Sequence, residues 1–243
     1  MDEEAVNRPL VLVHRPPNFH FPFRHRLATQ FNLFDPFDSP DSTRSSLLCR
    51  HAHNIRVLLC VDPTPVSSDL LSLLPALELI VGSTVGVDHI NLPECRRRGI
   101  TVTNAGVAFS EDVADLAEES ELGSVGMGKI GSEVEETHHI INKDVMTALG
   151  KEGVIINVGR GALINEKEMV KFLVRGEIGG VGLDVFENEP HVPKELFQLD
   201  NVVLSPHCAV ATPECFDALE ELIVFNLKAF FANKPLWSLV NLE

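Results

Sequence analysis

Apolar residues in this chain fall in short unbroken runs separated by segments of helical pattern. Leu10-Val11-Leu12-Val13, Phe31-Asn32-Leu33-Phe34 and Arg56-Val57-Leu58-Leu59-Cys60-Val61 come first. Leu77-Glu78-Leu79-Ile80-Val81 and Gly99-Ile100-Thr101-Val102-Thr103 follow. Runs of this length suit strands buried on both faces, as in a parallel sheet. Between them, Ser67 to Leu74 predicts a helix, with Ser67 or Ser68 as N-cap and Pro75 as the stop. Pro36 to Ser46, rich in Pro, Asp and Ser, predicts a loop. Residues up to about 104 therefore predict one α/β unit.

The second half repeats the alternation. Gly153–Gly159, Gly180–Phe186 and Asn201–Pro206 predict strands. Asn142 to Leu149 predicts a short helix ended by Gly150. Asn165-Glu166-Lys167-Glu168 has the form of a capping box before Met169, Val170, Leu173 and Val174, with Gly176 as the stop. Thr212-Pro213 opens a last helix. Its apolar face, Phe216, Leu219, Leu222, Ile223 and Leu227, suits packing back on the first unit.

Three charged residues stand at the ends of the later strands, or just past them. They are Arg160 after Val158-Gly159, Glu189 after the Gly180 run, and His207 after Ser205-Pro206. In open α/β sheets, ligands bind outside the carboxyl ends of the strands. A guanidinium, a carboxylate and an imidazole gathered there can hold a small acid and move a proton. Taken singly, each has an ordinary reading: Arg160 as a surface ion pair, Glu189 as a loop charge and His207 as a strand end.

Charge narrows the partners. A net charge of −15 argues against nucleic acid, whose phosphates need clustered Lys and Arg. The run Arg96-Arg97-Arg98 predicts a solvated helix end. No apolar stretch reaches the ~20 residues of a membrane span, and Met1-Asp2-Glu3-Glu4 is unlike a secretory or transit leader. Five scattered cysteines predict reduced thiols in the cytosol, mostly buried packing, with Cys208 packing beside His207. Adjacent His138 and His139 are expected to point apart in an extended chain, and His51 with His53 lack a third metal ligand. The chain has no Tyr, which excludes a tyrosine-based proton relay.

Gly126-Met127-Gly128-Lys129-Ile130-Gly131 matches the dinucleotide fingerprint G-x-G-x-x-G, whose glycines admit a pyrophosphate to the backbone. Its surroundings do not match. Asp115 to Glu121 is acidic, only Leu122 to Val125 remain for a strand, and no second strand follows before Val154. On local context the motif is a flexible acidic–glycine loop as much as a nucleotide site.

Asn157-Val158-Gly159-Arg160-Gly161, Leu183-Asp184-Val185-Phe186-Glu187-Asn188-Glu189-Pro190 and Leu204-Ser205-Pro206-His207 resemble successive signatures of the D-isomer-specific 2-hydroxyacid dehydrogenases. Val81 to Asp88 and Thr103-Asn104-Ala105-Gly106 resemble that family's substrate-domain motifs, and Glu111 to Ala117 its interdomain helix. The wording is most similar to plant-type glyoxylate/hydroxypyruvate reductases, over nearly the whole chain.

The resemblance implies two Rossmann-like or flavodoxin-like parallel-sheet domains, the nucleotide-binding one truncated near residues 118–122 and 134–136. The substrate domain would be 1–104 plus 218–243, and the incomplete NAD(P)-binding domain 105–217. It further implies NAD(P)H-dependent reduction of a small 2-oxo acid, hydroxypyruvate or glyoxylate, with NADPH favoured, and a homodimer. His207 would be the acid, Glu189 its partner, and Arg160 the grip on carboxylate and carbonyl. Thr84, Val85 and Gly86 would complete the carboxylate cradle. Cofactor contacts would come from Gly126, Gly128, Lys129, Ile130, Gly131, Val158, Gly159, Arg160, Asp184 and His207. The alternative is a non-catalytic isoform unable to bind dinucleotide, acting as a dimerisation or binding module.

Overall fold

A computed structural model describes residues 8–40, 46, 48–106, 108 and 137–242. The chain divides into two compact units, Met1–Phe109 with Pro213–Glu243, and Ser110–Thr212.

In the first unit the apolar runs become strands β1 (Leu10–His14), β2 (Asn32–Phe34), β3 (Val57–Cys60), β4 (Leu79–Gly82) and β5 (Thr101–Thr103). All neighbours pair in parallel, in the order β2-β1-β3-β4-β5. This is the doubly wound order whose switch point lies between β1 and β3. Every residue of β3 and β4 is buried, which explains their unbroken apolar sequence.

Helices α1 (Arg24–Ala28), α2 (Ser68–Ser72) and α3 (Leu92–Arg98) connect the strands. Ser67 caps α2 by accepting from the Leu70 amide. Asn91 caps α3 through the Glu94 amide, and Gly99 ends it at φ 68°, a left-handed turn that costs glycine little. The arginine run departs from its expected solvated face. Arg96 and Arg97 are exposed, and Arg97 pairs with Glu94. Arg98 instead donates to the carbonyls of Leu71 and Leu74, satisfying the open C-terminal end of α2.

The second unit holds α4 (Lys143–Leu149), β6 (Val154–Asn157), α5 (Glu166–Val174), β7 (Gly180–Leu183) and β8 (Val202–Leu204). The three strands form a parallel sheet in sequence order. Asn142 and Asn165 cap α4 and α5 through side-chain oxygens. Met146, Ile155, Met169, Phe172, Leu173 and Val181 lie in its core.

The last helix, α6 (Pro213–Phe231), belongs to the first unit. Cys215, Leu219, Leu222, Ile223 and Leu227 are buried, while Phe216 is half-buried. Past α6 the chain returns to the sheet. Val240 donates to the Val102 carbonyl, and Leu239 bridges Thr103 antiparallel. Of the five free cysteines, Cys60, Cys95 and Cys215 are buried, whereas Cys49 and Cys208 are exposed. Burial pushes the Cys60 thiol up to about 12 and the Cys95 thiol to about 11, so both stay protonated packing groups.

Candidate functional site

Parallel pairing in the second unit puts the carboxyl ends of β6, β7 and β8 along one sheet edge. Arg160 lies three residues beyond β6, Glu189 six beyond β7 and His207 three beyond β8. The structure joins two of them directly. His207 Nδ1 donates to Glu189 Oε2 at 2.9 Å, and Glu189 Oε1 accepts from the Phe186 amide at 3.0 Å. The His207 side chain is half exposed, and Nδ1 is the ring nitrogen engaged by Glu189. Arg160 is half-buried, and its Nη1 donates to the Gly159 carbonyl at 2.8 Å.

The turn carrying Arg160 is built by Asn157, a residue of the sequence signature to which no role was assigned. Asn157, 1% exposed, accepts from the Gly159 amide at 3.1 Å and donates to the Arg160 carbonyl at 2.8 Å. Its signals in the sequence were its place in that signature and a polar residue closing an apolar strand run. Val158 is half-buried and Gly159 buried. At Gly161 a Cβ would overlap the Phe186 carbonyl and the Glu187 amide. Glycine is required there for the β6 and β7 loops to touch.

Asp184 is 3% exposed and grips the loop that carries His207. Its Oδ1 accepts from Ser205 Oγ at 2.6 Å and the Cys208 amide at 2.8 Å. Its Oδ2 accepts from the Ala209 amide at 3.0 Å, and its carbonyl accepts from the His207 amide. These bonds hold His207 at φ 53°, a left-handed conformation that a residue with a Cβ keeps only where its surroundings impose it. We expect Asp184→Ala to cost about 1–3 kcal/mol, since it removes the charged acceptor of three hydrogen bonds that hold the loop. Urea unfolding of the variant measures this; an unchanged midpoint would rule it out.

His138 and His139 do not point apart as expected. Their rings stack at 3.9 Å, because His139 adopts φ 52° in a turn instead of an extended strand. Among the described residues no group of three or more His, Cys, Asp or Glu is placed to hold a metal.

Beside these rings, Glu166 is buried and accepts from the Glu187 amide at 3.2 Å. Burial above all, with the nearby Glu187 charge, pushes the Glu166 carboxyl above its usual range. A carboxyl raised on folding stabilises the protein below its ordinary pKa and loses that contribution as pH rises through the raised value. Glu166→Gln is therefore expected to match wild type at pH 4 and to melt higher at pH 8. Melting curves across that range check it; equal melting temperatures at pH 8 would refute it.

In the first unit, the turn Thr84-Val85-Gly86 follows β4. Its carbonyls are engaged: Thr84 O accepts from Ala105 N, Val85 O from Asn104 Nδ2 and Gly86 O from Thr84 Oγ1. Among the described residues none accepts from the three amides of this turn, the condition for an anion cradle. The motif residues Gly126, Gly128, Lys129, Ile130 and Gly131 lie outside the described residues.

Residues 134–209 match the family model "D-isomer specific 2-hydroxyacid dehydrogenase, NAD binding domain". The glyoxylate/hydroxypyruvate reductase HPR3 of Arabidopsis thaliana is 41% identical over 322 positions, which take in 99% of each chain. The chain belongs to the D-isomer-specific 2-hydroxyacid dehydrogenase family. A second Arabidopsis family member, glyoxylate/hydroxypyruvate reductase A HPR2, is 32% identical, over 87% of this chain and 93% of its own.

Among solved structures of the family, the Ketogulonicigenium vulgare 2-hydroxyacid dehydrogenase superposes with TM-score 0.80 at 27% identity, covering 97% of this chain and 99% of that one. The Sinorhizobium meliloti NADPH-dependent glyoxylate/hydroxypyruvate reductase, in complex with NADP and malonate, gives 0.75 at 25%, covering 97% and 98%. The 322 aligned positions of HPR3 exceed the 243 residues of this chain by 79. At least that many positions of this 2-hydroxyacid dehydrogenase alignment have no residue of the present chain opposite them.

Proposed function

We propose that this chain reduces a small 2-oxo acid, hydroxypyruvate or glyoxylate, to the 2-hydroxy acid with NADPH or NADH. The observation that carries the reading is the His207–Glu189 pair, 2.9 Å apart at the sheet edge where the loop after β6 carries Arg160. The names of HPR3, HPR2 and the Sinorhizobium enzyme support the substrate class. The described residues suit the cofactor: Asp184 Oδ2 accepts one bond in the structure and has a second acceptor site for a carboxamide N–H.

A bound dihydronicotinamide would supply the hydride. Arg160 would then hold the carboxylate and polarise the carbonyl through its planar fork. His207 would pass the proton from Nε2 to the carbonyl oxygen as the alcohol forms, while Glu189 stabilises the charged ring and sets its tautomer. The amides of Thr84, Val85 and Gly86 would complete the carboxylate cradle. A cytosolic location and a homodimer belong to the same proposal. All five cysteines are free thiols, as the cytosol maintains. Among the described residues no helix is long and apolar enough to cross a membrane.

Following nicotinamide absorbance with hydroxypyruvate and with glyoxylate tests the reading. Oxidation of NADPH or NADH that depends on the 2-oxo acid is expected, and none above the enzyme-free rate overturns it.

The 79 surplus positions favour a second reading, in which the chain no longer holds a dinucleotide and serves as a dimerisation or binding module. NADPH at 100 times its dissociation constant adds about 2.7 kcal/mol to a protein that binds it. A raised melting temperature under NADPH therefore counts against the second reading.

A further inference from the structure

The second unit contains another histidine–carboxylate pair, one that the proposed reaction leaves unused. His139 Nε2 donates to Glu187 Oε1 at 3.0 Å, and both side chains are about three-quarters buried. The His139 backbone is itself pinned. Its amide donates to the Ala162 carbonyl at 2.8 Å, and its ring stacks on His138. Glu187 is also held through its backbone, its amide donating to Glu166 Oε2.

Glu187 lies two residues before Glu189 and next to Phe186, whose amide holds Glu189 Oε1. The segment 186–189 is thus tied at three points. One tie is the side-chain pair with His139, one the backbone bond to Glu166, and one the Phe186 amide that aims Glu189 Oε2 at His207. Of these, the bond to His139 anchors the segment to residues immediately before α4.

We propose that His139 is a positioning residue: by holding Glu187 it fixes the turn that keeps Glu189 on Nδ1 of His207. The titratable groups around the pair are His138, stacked on His139, and Glu166, behind Glu187. Glu166 is the more buried of the two and acts on the backbone, so the side-chain tie rests on His139. The inference builds on His207 as the acid, yet its geometry can be tested without turnover.

The test is the tautomer of His207, read from its ring 15N shifts at a pH where the ring is neutral. Glu189 accepting at Nδ1 selects the Nδ1–H form, whereas an unheld ring drifts toward Nε2–H. His139→Ala and Glu187→Ala should each move His207 toward Nε2–H. His139→Gln, which still offers an N–H to Glu187, should hold the wild-type form. Where wild type turns over, His139→Ala should also lose about tenfold to a hundredfold in kcat with KM unchanged.

A wild-type His207 tautomer in both alanine variants would overturn the proposal. If His139→Ala does not fold, Glu187→Ala carries the same test from the other partner. A protein without turnover that still shows the tautomer shift would fail the functional reading and keep this one.

Discussion

Asp35→Ala is expected to lower the unfolding free energy by about 3–5 kcal/mol, the usual cost of breaking a buried ion pair from one side. Arg15 follows β1 and is 4% exposed; Asp35 follows β2 and its side chain is fully buried. Arg15 Nε donates to Asp35 Oδ2 at 2.7 Å, Arg24 Nη1 lies 3.3 Å from the same oxygen, and Asp35 Oδ1 accepts from the Phe37 amide. Arg15 Nη1 is already committed to the carbonyls of Pro16, Pro17 and Phe19.

Removing the carboxylate therefore leaves the buried Arg15 guanidinium without its anion. Losing the proton offers no escape, because arginine stays charged. Asp35→Asn separates the two contributions, since it keeps an acceptor for Phe37 and removes only the charge. It should fall between wild type and alanine. Urea midpoints at constant m-value measure both, and a loss under about 1 kcal/mol for alanine would refute the argument.

His207→Ala is expected to lower kcat/KM about 10²- to 10⁴-fold, the range spanned by a positioned general acid, or about 3–5 kcal/mol of barrier. Glu189→Gln should lose less. The amide still sets the ring's orientation but no longer supplies the charge that stabilises the protonated imidazole. Rates within threefold of wild type would remove His207 from the acid role.

Much of the fold was legible because fully buried parallel strands print as unbroken apolar runs, and β3 and β4 are the clearest cases. Ser67, Asn142, Asn165 and Pro213 were legible as helix starts because capping is local, reaching two or three residues. The strand-end positions of Arg160, Glu189 and His207 could be read for the same reason.

What escaped depends on long separations. Asp184 grips a loop 21 to 25 residues on, and His139 meets Glu187 across 48. No local pattern signals either contact. The stacking of His138 on His139 turned on a single left-handed backbone angle, which the sequence His-His does not announce. The sequence reading also divides the chain at 217/218, inside α6, whereas the compact first unit takes in the helix from Pro213. A continuous 19-residue helix is one packing element.

Because α6 and the residues after it complete the first unit, that unit cannot close as the ribosome reaches its own sheet. β1 to β5 emerge early, but Leu219, Leu222, Ile223 and Leu227, and the pairing of Val240 with Val102, arrive only after the intervening Ser110–Thr212. At ordinary synthesis rates that is a wait of roughly 5–20 s. During it the apolar side chains that α6 will cover stay open to chaperones and to other nascent chains. The birth of this protein is thus ordered inside-out: the unit that begins first is finished last.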